Sequence, residues 1–312
     1  MIQSLSITWN FEGAFHIGPL TLRLYSLMFV VAFGLGWVIM KKIFDRENEP
    51  VEKLDQLFIY TLVATLLGAR LGHVFFYDWA YFKDHPAEIL LPVRFDPFEF
   101  TGFAGLASHG AAIAIILAVI WYSKRIIHRP VLWVLDRIVI PVTSGGIFVR
   151  LGNFFNSEIL GSETSPNLAT AVRFVRGEDN LGNRQALQIT QQTDVNKAYD
   201  MIEHDPRFAD TLASIPFRHP AQLYEAFGYI FVFAIIFYMY WKTNSRKHHG
   251  LIFGVFLVLL WSVRFVVEFV KQSQGGFEGD QPILLTGQWL SIPFILAGLY
   301  LMFTSKNRTE TL

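Results

Sequence analysis

Seven apolar runs recur along the chain, near residues 22–42, 57–77, 104–122, 132–151, 221–241, 250–270 and 288–304. Each is long enough to cross about 30 Å of hydrocarbon as a helix. Lipid offers the backbone no hydrogen-bonding partner, so every N–H and C=O must pair within the chain, which makes all seven helical. The pattern therefore predicts an all-α polytopic membrane protein of about seven transmembrane helices. Several runs carry a polar residue inside, a costly choice for a plain anchor and hence an informative one.

Charge between the runs sets their direction. The connections after the first, third and fifth runs hold Lys41, Lys42, Arg46, Lys53, Lys124, Arg125, Arg129, Lys242, Arg246 and Lys247, and the tail adds Lys306 and Arg308. The opposite short segments hold only Lys83, Arg94 and Lys271. An excess of cations marks the cytoplasmic side, which predicts an outward N-terminus and an inward C-terminus, as an odd number of spans requires.

The polar stretch 162–216 has no spanning run and is too long for a simple loop, so a small extracytoplasmic head is expected there. It divides the chain into a membrane part of four spans at 1–161, the head, and a membrane part of three spans at 217–312. Two further outer segments, WNFEGAFHIGPL and WAYFKDHPAEILLPVRFDPF, mix aromatics with sparse charge. They read equally as interfacial arms gating lateral passage of a lipid and as ordinary aromatic belts. No internal repeat is evident, so an inverted-repeat transporter gains no support.

Composition narrows the class. Of 312 residues 52% are hydrophobic and 17% charged, with mean hydropathy +0.36, which points to a bilayer as principal solvent. Lys+Arg and Asp+Glu are both 26, so net charge gives no argument for a nucleic-acid partner, and none is expected. Cysteine is absent; disulfides, thiolate metal sites and an enzyme thiol nucleophile drop out, and any thiol chemistry must use a substrate's thiol. The N-terminal segment lacks the basic region and small-residue cleavage pattern of a removable signal and is expected to stay in the mature protein.

Candidate chemistry gathers at the outer ends of the runs. The sixth places Arg264 and Glu268 four residues apart on one helical face, either as a packing ion pair or as part of a site. The fourth ends in SGGIFVRLGNFFNSEILG, where Arg150, Asn153, Asn156 and Glu158 follow paired glycines and a backbone break would line a cavity. Arg150 either snorkels to headgroups or binds phosphate oxygens with its planar fork. His109 follows GFAGLAS at the start of the third run, as a structural donor or a general base. Tyr25 opens the first run, where a belt tyrosine is equally at home. RHPAQLYEAFGY opens the fifth, with Pro220 suited to a first turn and Gln222, Tyr224 and Glu225 just inside. An acid one turn into a span needs a base from another span, with Arg150 and Arg264 as the candidates for Glu225. Gly68 and Gly72, spaced G-x-x-x-G, read as a tight helix contact. No H-E-x-x-H-like spacing occurs in a span, so no metal and no cofactor is expected.

The convergence is one outward polar site of two arginines, two or three acids and a histidine, suited to a phosphate-bearing lipid. At this point the residues resemble the prolipoprotein diacylglyceryl transferase family. VRLGNFFNSEILG is similar to its signature G-R-x-G-N-F-x-N-x-E-x-x-G, with Arg150, Gly152, Asn153, Phe154, Asn156, Glu158 and Gly161 in register. RHPAQLYEA, RFVVEFVKQ, GARLGHVFFY and GQWLSIPFILAG also look like family segments in the family's order. Val149 stands where the signature begins with glycine, and Ala111 stands where His-Gly-Gly is usual; the stretch 162–216 matches least.

The resemblance implies seven helices with a periplasmic head in the bacterial cytoplasmic (inner) membrane, phosphatidylglycerol as donor, the lipobox cysteine of a prolipoprotein peptide as acceptor, and release of glycerol 1-phosphate. It carries over Tyr25, His109, Arg150, Asn153, Glu158, Gly161, Arg264 and Glu268 as site positions. On this reading Arg150 and Arg264 hold the phosphate and His109 takes the thiol proton. Glu158 and Glu268 orient the arginines, and Asn153 and Tyr25 bond the headgroup, with Asn156, Gly161 and Glu225 completing the donor site. A solute transporter and a non-catalytic lipid-binding scaffold are the rival classes, separated by whether a cysteine peptide is modified.

Overall fold

A computed structural model of the chain describes residues 6–18, 20–91, 93–95, 98–100, 105, 107–177, 180–272 and 283–309. In chain order the elements are β1 (Ile7–Trp9), β2 (Ala14–Ile17), β3 (Leu20–Arg23), α1 (Leu24–Glu47), α2 (Val51–Phe76), α3 (Trp79–Phe82), β4 (Val93–Phe95), β5 (Phe98–Phe100), α4 (Ser108–Tyr122), α5 (Val131–Phe155) and β6 (Val172–Phe174). They continue with α6 (Asn183–Thr190), α7 (Val195–His204), α8 (Ala209–Ser214), α9 (Ala221–Lys242), α10 (Leu251–Glu268) and α11 (Thr286–Thr304).

Seven helices, α1, α2, α4 with its π-turn extension to Ile127, α5, α9, α10 and α11 with the turn to Arg308, are long and apolar enough to span a bilayer. Only 17% to 44% of each span is buried within the protein. Side chains such as Val30, Leu66, Leu117, Phe231, Leu296 and Phe303 are exposed, and so much outward apolar surface needs lipid rather than water beside it. The chain is a multi-pass membrane protein.

The residues fall into two compact units, 1–39 with 138–312, and 40–137. In the second, α2 packs on α4. A Cβ on Gly72 would lie 2.6 Å from the Gly110 Cα, and one on Gly68 would lie 2.6 Å from the Gly110 carbonyl oxygen. The G-x-x-x-G spacing thus brings two backbones together, as small-residue seams do in lipid. Arg70 is buried and donates to the carbonyls of Glu88 and Ile89, both at 2.7 Å, tying the segment after α3 to α2. At the far end of the unit Arg137, 1% exposed, pairs with Glu47 at 3.0 Å, and Glu49 joins Arg129 and Lys53; buried charges of this kind are kept by mutual pairing.

In the first unit α10 packs against both α9 and α11. Pro141 lies inside α5, where its ring denies a carbonyl one turn back its usual bond. Just beyond it Thr143 and Ser144 donate to the carbonyls of Val139 and Pro141, at 2.6 and 2.8 Å. The polar stretch builds a small core of its own from Val175, Leu181, Ala186, Ala198, Tyr199, Ile202 and Ile215.

A ribbon of short extended segments, which the all-helical expectation does not include, crosses the unit. β1 runs parallel to β6; Val172 pairs with Arg218, Arg218 with Glu163, and Gly161 with Lys271. The order across the ribbon is 7–9, 172–174, 217–219, 161–163 and 270–272. The two aromatic arms form antiparallel hairpins, β2 with β3 and β4 with β5.

Candidate active site

Three helices of the first unit meet around one acid. Glu225 sits one turn into α9 and is 2% exposed. Its Oε2 lies 2.5 Å from the Arg150 Nε of α5, and its Oε1 lies 4.0 Å from the Arg264 Nη1 of α10. One carboxylate between two guanidiniums leaves the trio with one net positive charge in a site shielded from water, where electrostatic attraction is strong. The pairing anticipated for Glu225 is found with both arginines. Arg264 turns to Glu225 rather than back along its own helix, and Glu268 acts on it from farther away.

The second half of the site hangs from the end of α5. The helix runs unbroken past Val149 and stops at Phe155, and Ser157 and Ile159 take positive φ of 53° and 57°. The break therefore falls after the helix, and Asn156 and Glu158 lie on the irregular segment beyond it. The Arg150 Nη1 donates to the Asn153 Oδ1 at 3.4 Å, and the Asn153 Nδ2 donates to the Glu158 Oε2 at 3.4 Å. Asn156 donates to the other oxygen of Glu158 at 3.1 Å. Tyr25 of α1 hydrogen-bonds Asn153, and its ring lies over Gly152, where a Cβ would come within 2.9 Å of it.

Gly161 gives no functional group but admits two neighbouring strands. A Cβ there would meet the His219 carbonyl oxygen at 2.3 Å and that of Val270 at 2.7 Å. Glu268, at the end of α10, lays its carboxyl over Gly287, whose Cβ would sit 2.4 Å from it. Gly287 is in the first turn of α11, and a carboxylate at a helix start is favoured by the exposed N–H groups and the helix dipole.

Tyr25, Arg150, Asn153, Asn156, Glu158, Gly161, Glu225, Arg264 and Glu268 all belong to this unit. His109 belongs to the other, exposed on the first turn of α4. Five further residues shape the site, and of these only Gln222 was noted from the sequence as candidate chemistry. Gln222 is fully buried and donates to the Glu158 carbonyl. Gln288 links the Leu285 N–H to the Phe265 carbonyl. Tyr229 hydrogen-bonds Arg264. Gly287 makes room for Glu268. Lys271, in the ribbon, has its ammonium pKa lowered by burial against the opposing pull of Glu225 and Glu268. Gly287 and Gln288 stood inside a family-like segment, which was their only signal.

Among the described residues no group of three His, Asp or Glu is placed to hold a metal ion. What the site offers is fixed hydrogen-bond donors and positive charge facing a lipid-exposed helix bundle, an arrangement suited to a phosphate ester.

The family described as prolipoprotein diacylglyceryl transferase matches residues 12–304. Three relatives, each named phosphatidylglycerol–prolipoprotein diacylglyceryl transferase, are similar over nearly their whole length. The Chloroherpeton thalassium protein is 35% identical over 311 residues, 99% of this chain and 98% of the relative. That of Tolumonas auensis is 33% identical over 300 residues, 96% and 97% of the two chains. That of Porphyromonas gingivalis is 35% identical over 311 residues, 98% and 96% of the two chains.

Proposed function

From the premise that this chain belongs to the prolipoprotein diacylglyceryl transferase family, we propose that the Arg150–Glu225–Arg264 trio holds the donor phosphate. The chain is a membrane transferase that moves a diacylglyceryl group from phosphatidylglycerol to prolipoproteins, the first step of lipoprotein lipidation. The observation that carries the clamp is its charge. Two guanidiniums share one buried carboxylate, and the Arg264 Nε–H is itself buried without an acceptor. The residual positive charge matches the single negative charge of a phosphodiester.

In the reaction the acceptor cysteine sulfur attacks the diacylglycerol carbon that bears the phosphate. A C–S bond forms, the C–O bond breaks, and the oxygen leaves with its electron pair as glycerol 1-phosphate. The thiol proton must go to a base, since the thiolate is the nucleophile and a free thiol titrates near about 8.5. Negative charge grows on the phosphate as the C–O bond breaks, and Arg150 and Arg264 stabilise it there. Glu225 and Glu158, the latter through Asn153, set the angle of Arg150, while Glu268 adds its charge beside Arg264. We assign proton acceptance to His109, exposed at the start of α4, and place the acceptor in the lipobox peptide. The same reading puts the protein in the bacterial inner membrane with an extracytoplasmic head at 162–216 between membrane parts 1–161 and 217–312, a periplasmic N-terminus and a cytoplasmic C-terminus.

The test is purified protein with phosphatidylglycerol and a lipobox peptide, following peptide mass and glycerol phosphate together. Arg264→Lys and Arg150→Lys keep charge but lose the fork, and turnover is expected to fall about 10²- to 10³-fold. Unchanged turnover in both would refute the clamp. His109→Gln runs alongside, and full activity near neutral pH would remove it as the base.

A further inference from the structure

One side chain inside the trio has no part in the reaction as described. Tyr229 lies four residues after Glu225, on the same face of α9. It is 4% exposed. The helix register places it there. Across α5 and α9, Arg150 faces Glu225, and one turn along Gly146 faces the Tyr229 ring, where a Cβ would lie 3.3 Å from it. Across α9 and α10, a Cβ on Gly228 would lie 2.5 Å from Val263, which brings Arg264 beside Tyr229. Two glycines thus let three helices close around one phenol.

Tyr229 lies within electrostatic reach of Arg264, and any hydrogen bond between them has a fixed sense. A guanidinium only donates, so the phenolic oxygen accepts and its own O–H remains to be given away. Among the described residues no acceptor takes that proton. Next to it the Arg264 Nε–H is buried and unmatched. A buried donor without an acceptor is costly in an empty site, and beside a phenol it fits an acceptor-only ligand. A phosphate oxygen is such a ligand, and it accepts from both at once.

We propose that Tyr229 is a third donor of the clamp, its phenolic O–H and the Arg264 Nε–H binding one oxygen of the donor phosphate. The assignment rests on the clamp reading above and adds a neutral contact to two charged ones. Such a donor strengthens phosphate binding without raising the net charge of the buried trio.

Tyr229→Phe removes the proton and keeps the ring against Gly146. It is assayed beside Arg264→Lys with phosphatidylglycerol and a lipobox peptide, for kcat, for KM and for inhibition by added glycerol 1-phosphate, with the thermal midpoint of each protein. The expected result is a fall of about tenfold or more in kcat/KM, with glycerol 1-phosphate inhibition weakened by a similar factor. If only the lipid KM moves and inhibition does not, the contact belongs to the diester alone. If kcat/KM and inhibition stay at wild type while Arg264→Lys loses turnover, the clamp stands and Tyr229 is not part of it. If Arg264→Lys is also fully active, the clamp itself falls. Should Tyr229→Phe lower the thermal midpoint as well as turnover, an unchanged lipid KM together with unchanged inhibition by glycerol 1-phosphate overturns the proposal.

Discussion

Replacing Gly161 with alanine adds one methyl group at the most crowded point of the ribbon. Its carbon would stand 2.3 Å from the His219 carbonyl oxygen and 2.7 Å from that of Val270, with backbone on both sides, so no side chain can swing away. One strand has to withdraw. The bonds at stake are Gly161 N–H to the His219 carbonyl at 3.0 Å, Ser162 N–H to the Val270 carbonyl at 2.8 Å and Gln272 N–H to the Leu160 carbonyl at 3.1 Å. At about 1 kcal/mol net for each, the loss is on the order of 3 kcal/mol. That is roughly a hundredfold fall in the population of the intact ribbon. Glu158 lies three residues away, so turnover is expected to follow that population. The control is Gly182→Ala, at a helix N-cap with φ −70° and only the Gln185 Oε1 within reach at 4.0 Å. The two variants are compared in peptide lipidation and in thermal melts of detergent-solubilised protein. Wild-type turnover in Gly161→Ala would refute the reasoning, because it would show that the strands part without disturbing the site.

Glu225→Gln leaves two guanidiniums facing each other without their buried acid, at a cost of about 3–5 kcal/mol. Its melting point is expected to drop well below wild type and to be raised more by phosphatidylglycerol, since phosphate replaces the lost charge; equal lipid stabilisation of both proteins would sink this idea. Burial lowers the His219 pKa, so between its folded value and about 6.5 the unfolded chain binds more protons. Stability from this group therefore rises with pH across that window and is lost as pH falls through it. Melts at about pH 7.5 and about pH 5.5 are expected to differ more in wild type than in His219→Gln, and an equal difference would exclude the effect.

The spans were legible because a bilayer imposes a continuous apolar run that no other fold requires. Their ends were less so. α2 begins at Val51 rather than near residue 57, since the polar turn VEKLDQ is helical too and Lys53 meets Glu49 there. Glu225 advertised its own partners, because an acid inside a span has few alternatives to an arginine on another. Tyr229 gave no such signal, as a tyrosine in an apolar helix looks like packing until the neighbouring guanidinium is in view. The ribbon was hidden for another reason: its strands are three residues or so long and pair with distant segments, from Val172 with Arg218 to Ile7 with Val172, so no local alternation marks them. The two aromatic segments read only as interfacial arms or belts, and their hairpins were not legible because composition does not encode pairing.

The wide sequence separation of the ribbon also sets a timetable for the nascent chain. β1 leaves the ribosome first and its partner β6 follows some 160 residues later, a delay of about ten to thirty seconds at ordinary elongation rates. The strand at 270–272 comes later still, followed by the α11 turn that receives Glu268. Arg150 can reach the membrane well before most of the strands that fix its surroundings, whereas Arg264 emerges after all of them but the last. A copy interrupted before α11 would carry the charged groups and the ribbon yet lack the helix start that receives Glu268, so catalytic competence waits for α11.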